Sequence, residues 1–475
     1  MVLPASASTT PPDPASRARA TRTKALLEAP IGITLATLAA PNILAMFVQA
    51  MQSIAEAYFA SVLGVTTLAG LALVFPLVML TQMLSAGAMG GAISASIARA
   101  LGSGSPQRAA SLTLVAWMIA TGLAVCMAVF IGVFGQMIFG ALSDSPEAIR
   151  AASTYAIVFF PGSVAVWLCN CSLSVIRGTG EMQIPSLLLL LVSLISIPLA
   201  GGLALGWWGL PRLGIAGLPL GLVVAYGFGA LVAIGYILSG RTGLVFAGAF
   251  ARINLGMFTD ILKVGAMASI NAVLTVLTIV LMVGLVGQYG EAALAGYGLG
   301  ARLEFLMIPV IFGIGAAMTS MVGANIGAKN RTRALRIAWI GSFSAALIVG
   351  SIGFLLAVYP DLWLGMFLDP SDAAALEVGR AYFRIVAPLY PFFGLGLALY
   401  FASQGAGIML WPVIGSLSRI AVAVGCTAAL GAATSLGING VFVAIALAMF
   451  VYGVVIAIAI KVTGWKSRTS LSPRS

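Results

Sequence analysis

The sequence predicts an all-α polytopic membrane protein: twelve transmembrane helices in two six-helix lobes, V-shaped, related by a pseudo-two-fold axis near the membrane normal. Three observations lead there. The chain is 61% hydrophobic and only 8% charged, whereas soluble domains carry about 25% charged residues. One pattern occurs twice at a spacing near 226 residues, about half of the 475-residue length. The basic residues gather in alternate loops, as the positive-inside rule requires. Parallel duplication with six spans per half is the geometry of a two-lobed carrier.

Each apolar run reaches the roughly 20 residues a span needs. Lipid offers no partner to backbone polar groups, so the runs must be helical; a porin-like barrel would show short alternating segments instead. The first run, 31–60, carries Glu56 and closes at Gly64. The second, 68–98, opens on Leu68-Ala69-Gly70 and holds Gly87, Gly90 and Gly91. The third, 109–138, follows Arg108-Ala109; the fourth, 151–175, contains Pro161 and leads into Gly178-Thr179-Gly180. Pro185 lies at the start of the fifth, 184–206, and the sixth is 214–238.

After a stretch containing Gly240, Gly243 and Gly248, the series repeats. The seventh run is 259–287, and Gly290 answers Gly64. The eighth, 294–324, opens on Leu294-Ala295-Gly296 and holds Gly313 and Gly315; the ninth, 334–358, follows Arg333-Ala334. The tenth, 379–402, contains Pro388 and leads to Gly405-Ala406-Gly407; the eleventh, 412–432, opens on Pro412, and 438–462 is the last. Pro161 and Pro388, Gly178 and Gly405, and Pro185 and Pro412 are each 227 apart. The expected organisation is a disordered cytoplasmic tail (1–27), an N-lobe (28–238), a cytoplasmic linker, flexible or half-helical (239–258), a C-lobe (259–462) and a second cytoplasmic tail (463–475). The spans' glycines read first as close helix packing.

Eighteen of the 24 basic residues fall in the two tails, the linker and the junctions after spans two, four, six and eight. The opposite loops hold Asp144, Glu147, Glu291, Asp361, Asp369, Asp372 and Glu377. This puts both termini in the cytoplasm of a multi-pass protein of the cell membrane, with a bacterial inner membrane expected. It also accounts for the net charge of +11 through lipid headgroups rather than nucleic acid. No apolar h-region precedes residue 30, so no cleavable signal is expected. Cys126, Cys169, Cys171 and Cys426 lie in apolar runs without metal-ligand spacing, and the chain has no histidine. No phosphate-binding G-x-x-x-x-G-K-[ST] loop, HExxH, GxSxG or nucleophile–base set occurs. The chain is therefore expected to be no enzyme, to need no cofactor or metal, and to draw its energy from an ion gradient or the substrate's own.

A charge inside a span is a functional hypothesis by default. Glu56 is the foremost: no basic residue stands at helical spacing, and its counterpart in the second half is Met282. A carboxyl held away from water can take up and release a proton, or hold a cationic solute or sodium. The bland alternative is a helix-end carboxylate reaching water. Arg302 and Glu304 read as members of structural ion pairs, with Arg384 and Arg419 as possible partners for Glu304; Asp260 and Lys263 read as an interfacial pair or cap. Gln52, Gln82, Asn170, Asn271 and Tyr297 are candidate solute-binding groups, as are Gln49, Asn42, Tyr155 and Gln404, though all could equally join helices. Met79 and Met83 offer soft apolar surface for varied ligands.

Several of these stretches resemble the multidrug and toxic compound extrusion (MATE) transporters, from about residue 30 to 462. Glu56-Ala57-Tyr58-Phe59 stands eight residues before Gly64, as that family's first-span acid does. Leu68-Ala69-Gly70, Gly87 to Arg99 and Leu101-Gly102-Ser103-Gly104 are similar to its second span and loop. Ile176-Arg177-Gly178-Thr179-Gly180-Glu181 with Pro185, and Gly323-Ala324-Asn325-Ile326-Gly327-Ala328, match two further motifs. The resemblance implies an antiporter that exports small cationic lipophilic molecules in exchange for protons, with sodium as the alternative ion, and makes Glu56 the coupling carboxylate. Two departures stand out. Ser193 and Ile197 precede Pro198 where the family often has Asn and Asp, and 272–274 lacks the glutamate of the sodium-coupled branch. The chief alternative is a flippase of the same superfamily for lipid-linked oligosaccharide or peptidoglycan precursor, with Arg302, Arg384 and Arg419 as its basic cavity. A scaffold or receptor role is disfavoured by two intact halves without an extramembrane domain. One chain holds both lobes, so a monomer suffices.

Overall fold

The computed structural model describes residues 14–433 and 436–465. A first helix, α1 (Pro14–Glu28), is followed by twelve long apolar helices: α2 (Ile31–Leu63), α3 (Val65–Gly102), α4 (Pro106–Leu142), α5 (Pro146–Gly178), α6 (Gln183–Leu205), α7 (Gly217–Leu238), α8 (Leu255–Gly287), α9 (Glu291–Gly327), α10 (Arg331–Val358), α11 (Ala373–Ala406), α12 (Leu410–Ala433) and α13 (Ile438–Thr463). All twelve are long and apolar enough to cross a bilayer. The chain is thus a polytopic α-helical membrane protein. Local chemistry sets the boundaries. Pro106 and Pro146 occupy first-turn positions where a missing N–H is harmless. Ser145, Asn254 and Asn330 cap their helices by accepting backbone N–H bonds. Gly64 (φ 121°) and Gly290 (φ 96°) adopt the backbone that joins the first two spans of each half, a region closed to most side chains.

Helix α3 is not regular throughout. Met83–Met89 is π-helical, and the side-chain amide of Gln404 from α11 donates to the carbonyls of Gly87 (3.2 Å) and Ala88 (2.9 Å) inside it. The wider turn carries Met83, Ala86, Gly87 and Ala88 to the wall of a central cavity, the kind of place where π-bulges gather.

Two buried apolar clusters form the core, and their borders differ from those of the sequence halves. One gathers residues of α2–α7 but also Met257, Ile261, Val264 and Ala268 from the start of α8. The other gathers α9–α13 and Met282 and Val286 from the end of α8, but also Leu35 and Ala39 from the start of α2, with Leu26 of α1. Each half's first helix therefore begins inside the other half's core. Gly265 abuts Met89 and Ala92; Gly313 abuts Ala39 and Ile43.

The terminal segments meet at one end of the bundle, where Arg331 donates to the Gly464 carbonyl and Arg333 to that of Ala29. There α3 crosses α9 at backbone contact. A Cβ on Gly102 would lie 2.0 Å from the Ala324 oxygen, and one on Gly327 would lie 2.1 Å from the Arg99 oxygen. Arg99 also donates to the Gly405 carbonyl (3.1 Å), Ser94 and Ser320 share a hydrogen bond (3.2 Å), and Arg108 pairs with Asp260 (2.5 Å).

Two expectations need correction. Residues 14–27 are helical rather than disordered, because α1 is anchored: Arg22 pairs with Glu181 (2.9 Å), Asn325 donates to the Leu26 carbonyl (3.0 Å), and Leu26 is buried. Residues 1–13 and 466–475 lie outside the described residues. Asp260 pairs with Arg108, not Lys263, since α4 brings a guanidinium into range. The linker, expected to be flexible or half-helical, has a helical turn at Phe250–Arg252 and the start of α8 at Leu255, and it is docked, with Leu244 and Ala249 buried and Ser111 donating to the Ala249 carbonyl (2.8 Å).

Candidate functional site: the central cavity

A cavity of about 340 Å³ lies among α2, α3, α7, α8, α9, α11, α12 and α13, within the size range of small-molecule sites. One wall is polar. Glu56 of α2 borders it, and the hydroxyl of Tyr155 on α5 donates to Glu56 Oε1 at 2.5 Å. Beside it the amides of Gln49 (3.0 Å) and Gln82 (3.5 Å) both donate to the Tyr226 hydroxyl, and Asn170 donates to Gln82 Oε1 (3.2 Å) and Ser85 Oγ (2.9 Å). Such a chain fixes its members and polarises them together. The buried Oε1 of Gln52 has no partner in it. A void of about 10 Å³, bordered by Gln52, Glu56, Phe59 and Ser196, lies behind.

The lining supplied by α11, α12 and α13 is aromatic with one charge. Phe393, Tyr400, Phe401 and Tyr452 line the cavity together with Arg419. The guanidinium carbon of Arg419 stands 5.6 Å from the Phe393 ring centre and 5.8 Å from that of Tyr452. Asn271 borders the cavity and accepts a hydrogen bond from Ser416.

Of the residues singled out in the sequence, Glu56, Gln49, Gln52, Gln82, Asn271, Arg419, Met79 and Met83 border this cavity. Asn170 and Tyr297 do not. Asn170 is buried behind Gln82, its amide spent on Gln82 and Ser85. Tyr297 packs edge-on against Tyr382 within the second cluster. Gln404 and Asn42 join helices, the one to α3 and the other to Ser186. Glu56 has a partner after all, but a tyrosine hydroxyl rather than a base. Glu304 likewise accepts from Tyr382, and no arginine pairs with it among the described residues. Tyr155 and Tyr382 are 227 apart, so the same register position supplies both donors. That spacing was legible, as was Arg419, the lone charge of its span. Tyr226, Tyr400 and Tyr452 carried no signal, being aromatic residues in apolar runs.

Twelve helices fit to cross a bilayer, eight of them lining a cavity of mixed polarity, define a membrane transporter. The chain belongs to the MatE family, whose model matches residues 41–200 and 266–424; its role is transport, not catalysis. A probable multidrug resistance protein of Bacillus subtilis, YoeA, is 25% identical over 386 residues, covering 80% of this chain and 82% of that one. The FAD transporter of Shewanella oneidensis is 22% identical, covering 90% and 94%. In structure, a MOP-superfamily transporter from Pyrococcus furiosus, described as having a binding pocket of reverse polarity that suggests a different function, matches with a TM-score of 0.84, 22% identity, and coverage of 93% of this chain and 98% of that one.

Proposed function

We propose that this protein is a multidrug efflux antiporter of the bacterial inner membrane, with both termini cytoplasmic, acting as a monomer. It exports cationic lipophilic solutes in exchange for protons, with sodium as the alternative ion. The single observation that carries this reading is Glu56, a carboxyl on the wall of the cavity and held by Tyr155. The multidrug resistance named for the Bacillus relative supports it. Two lobes, helices one to six and seven to twelve of the membrane set, rock about the cavity. With the cavity open outward, Glu56 takes a proton and loses its hold on the cationic solute, which leaves. After the lobes rock inward, the proton departs to the cytoplasm and the ionised carboxylate binds the next solute. One proton against one monovalent cation moves no net charge. Only the pH difference then drives export, about tenfold in concentration per pH unit.

The flippase alternative needs a basic cavity, but Arg302 and Arg384 are exposed outside it, leaving Arg419 alone. The deciding experiment is pH-gradient-driven efflux of a cationic dye from sodium-free proteoliposomes, for wild type and Glu56→Gln. Loss of transport in a folded variant supports the reading. Full transport in the variant refutes the role of Glu56, and no dye transport by wild type favours the flippase.

A further inference from the structure

We infer that the cavity contains an oxyanion subsite at Arg419, selecting aromatic solutes that carry a carboxylate as well as a cationic nitrogen. This deepens the transport reading, since it assumes that solutes occupy this cavity, but it does not depend on which ion is coupled. Arg419 is the one charged residue of α12 and lies near its middle, where a charge is costly unless it is used. It borders the cavity. Among the described residues no carboxylate comes within ion-pairing distance. Glu304 is engaged by Tyr382 and does not line the cavity.

Phe393 and Tyr452 hold the guanidinium at 5.6 and 5.8 Å. A ring face steadies a cation but takes none of its hydrogen bonds in the ordinary sense. The planar fork of N–H donors, which matches a carboxylate in bidentate fashion, is left for a ligand. The rings beside it suit a flat aromatic body. Glu56 lines the same cavity and supplies the opposite charge, so a solute with both signs satisfies both groups, whereas a simple cation satisfies one.

The test uses purified full-length protein in detergent and two xanthene dyes: a cationic dye with a free carboxylate, and its methyl ester. They differ only in the anionic group. Fluorescence anisotropy is expected to give the acid about tenfold or more tighter binding in wild type, as a charge-assisted hydrogen bond provides. In Arg419→Gln the acid-to-ester ratio is expected to fall to about one. Arg419→Lys keeps a point charge without the fork, and its ratio is expected to fall several-fold; it serves if the Gln variant does not fold. Equal binding of the two dyes in wild type, or a ratio unchanged in both variants, overturns the inference. Glu56→Gln is expected to weaken both dyes together and keep the ratio; a ratio that collapses there assigns selection to Glu56 and also overturns it. Failure of proton coupling would appear in the efflux assay instead and leave this ratio intact.

Discussion

Substituting Gly327 by alanine should open the end of the bundle where the termini meet. The new Cβ would lie 2.1 Å from the carbonyl oxygen of Arg99, whereas a carbon–oxygen contact settles at about 3.3 Å. The helices must separate by roughly 1.2 Å there. The obstacle is backbone inside a helix, so no side chain can swing aside. Overpacking of this kind costs about 1–3 kcal/mol. On the alternating-access reading proposed above, the α3–α9 contact is made only with this end closed, so the cost should fall on that state and shift its population about five- to 150-fold. Gly102→Ala meets the Ala324 oxygen at 2.0 Å and should act alike. The assay is a spin-label distance between the ends of α3 and α9 in lipid, with labels at exposed positions of the flanking loops. Both variants should gain a longer-distance population, and Gly298→Ala, where a Cβ meets nothing within 4 Å, should not. Unchanged distance distributions in Gly327→Ala and Gly102→Ala would refute the reasoning.

Further consequences can be checked separately. Tyr155→Phe removes the donor to Glu56 Oε1 and should slow proton-driven dye efflux about tenfold; an unchanged rate would show the bond to be incidental. Gln404→Leu strips the π-helical carbonyls of Gly87 and Ala88 of their donor and should destabilise the protein by about 1–3 kcal/mol, read as a lowered thermal midpoint in detergent. Arg22 and Glu181, four-fifths buried as side chains, should show a coupling of about 1 kcal/mol in a double-mutant cycle of thermal unfolding; additive effects would mean that α1 is held by other contacts. At the opposite end, Arg380 holds the carboxyl of Asp361 below the usual carboxylate range. A depressed group contributes stability above its unfolded value and loses it only as pH falls through the folded one. Arg380→Gln should therefore lower the thermal midpoint equally at about pH 5 and about pH 8, and a loss confined to the higher pH would contradict this.

Spans were legible because lipid leaves apolar runs one solution, and all twelve occur within a few residues of their expected limits. The wall nearest Glu56 was partly legible for the same reason: a carboxyl or amide in an apolar run draws notice. What was missed follows from pairing across helices. Asn170 and Gln82 look alike in sequence, yet one is spent behind the wall while the other borders the cavity. Arginine is the expected partner of a buried acid, and here tyrosine serves twice, at one register position of each half. The helical α1 escaped notice because its anchors, Glu181 and Asn325, lie far away in sequence.

The exchanged starts of α2 and α8 bear on how the chain is made. The first six membrane helices cannot seal their interior when they leave the ribosome, because Met257, Ile261, Val264 and Ala268 have yet to be synthesised. Until α8 is inserted, a seam lies open beside Met89 and Ala92, the residues that Gly265 will cover. A nascent chain released before residue 257 should be cleared by membrane proteases faster than one extended through α8, which still lacks Tyr400, Phe401 and Met409 of the same cluster. Biogenesis should thus pass a checkpoint halfway along the polypeptide, set by a helix whose start packs in one half's core and whose end, through Met282 and Val286, packs in the other's.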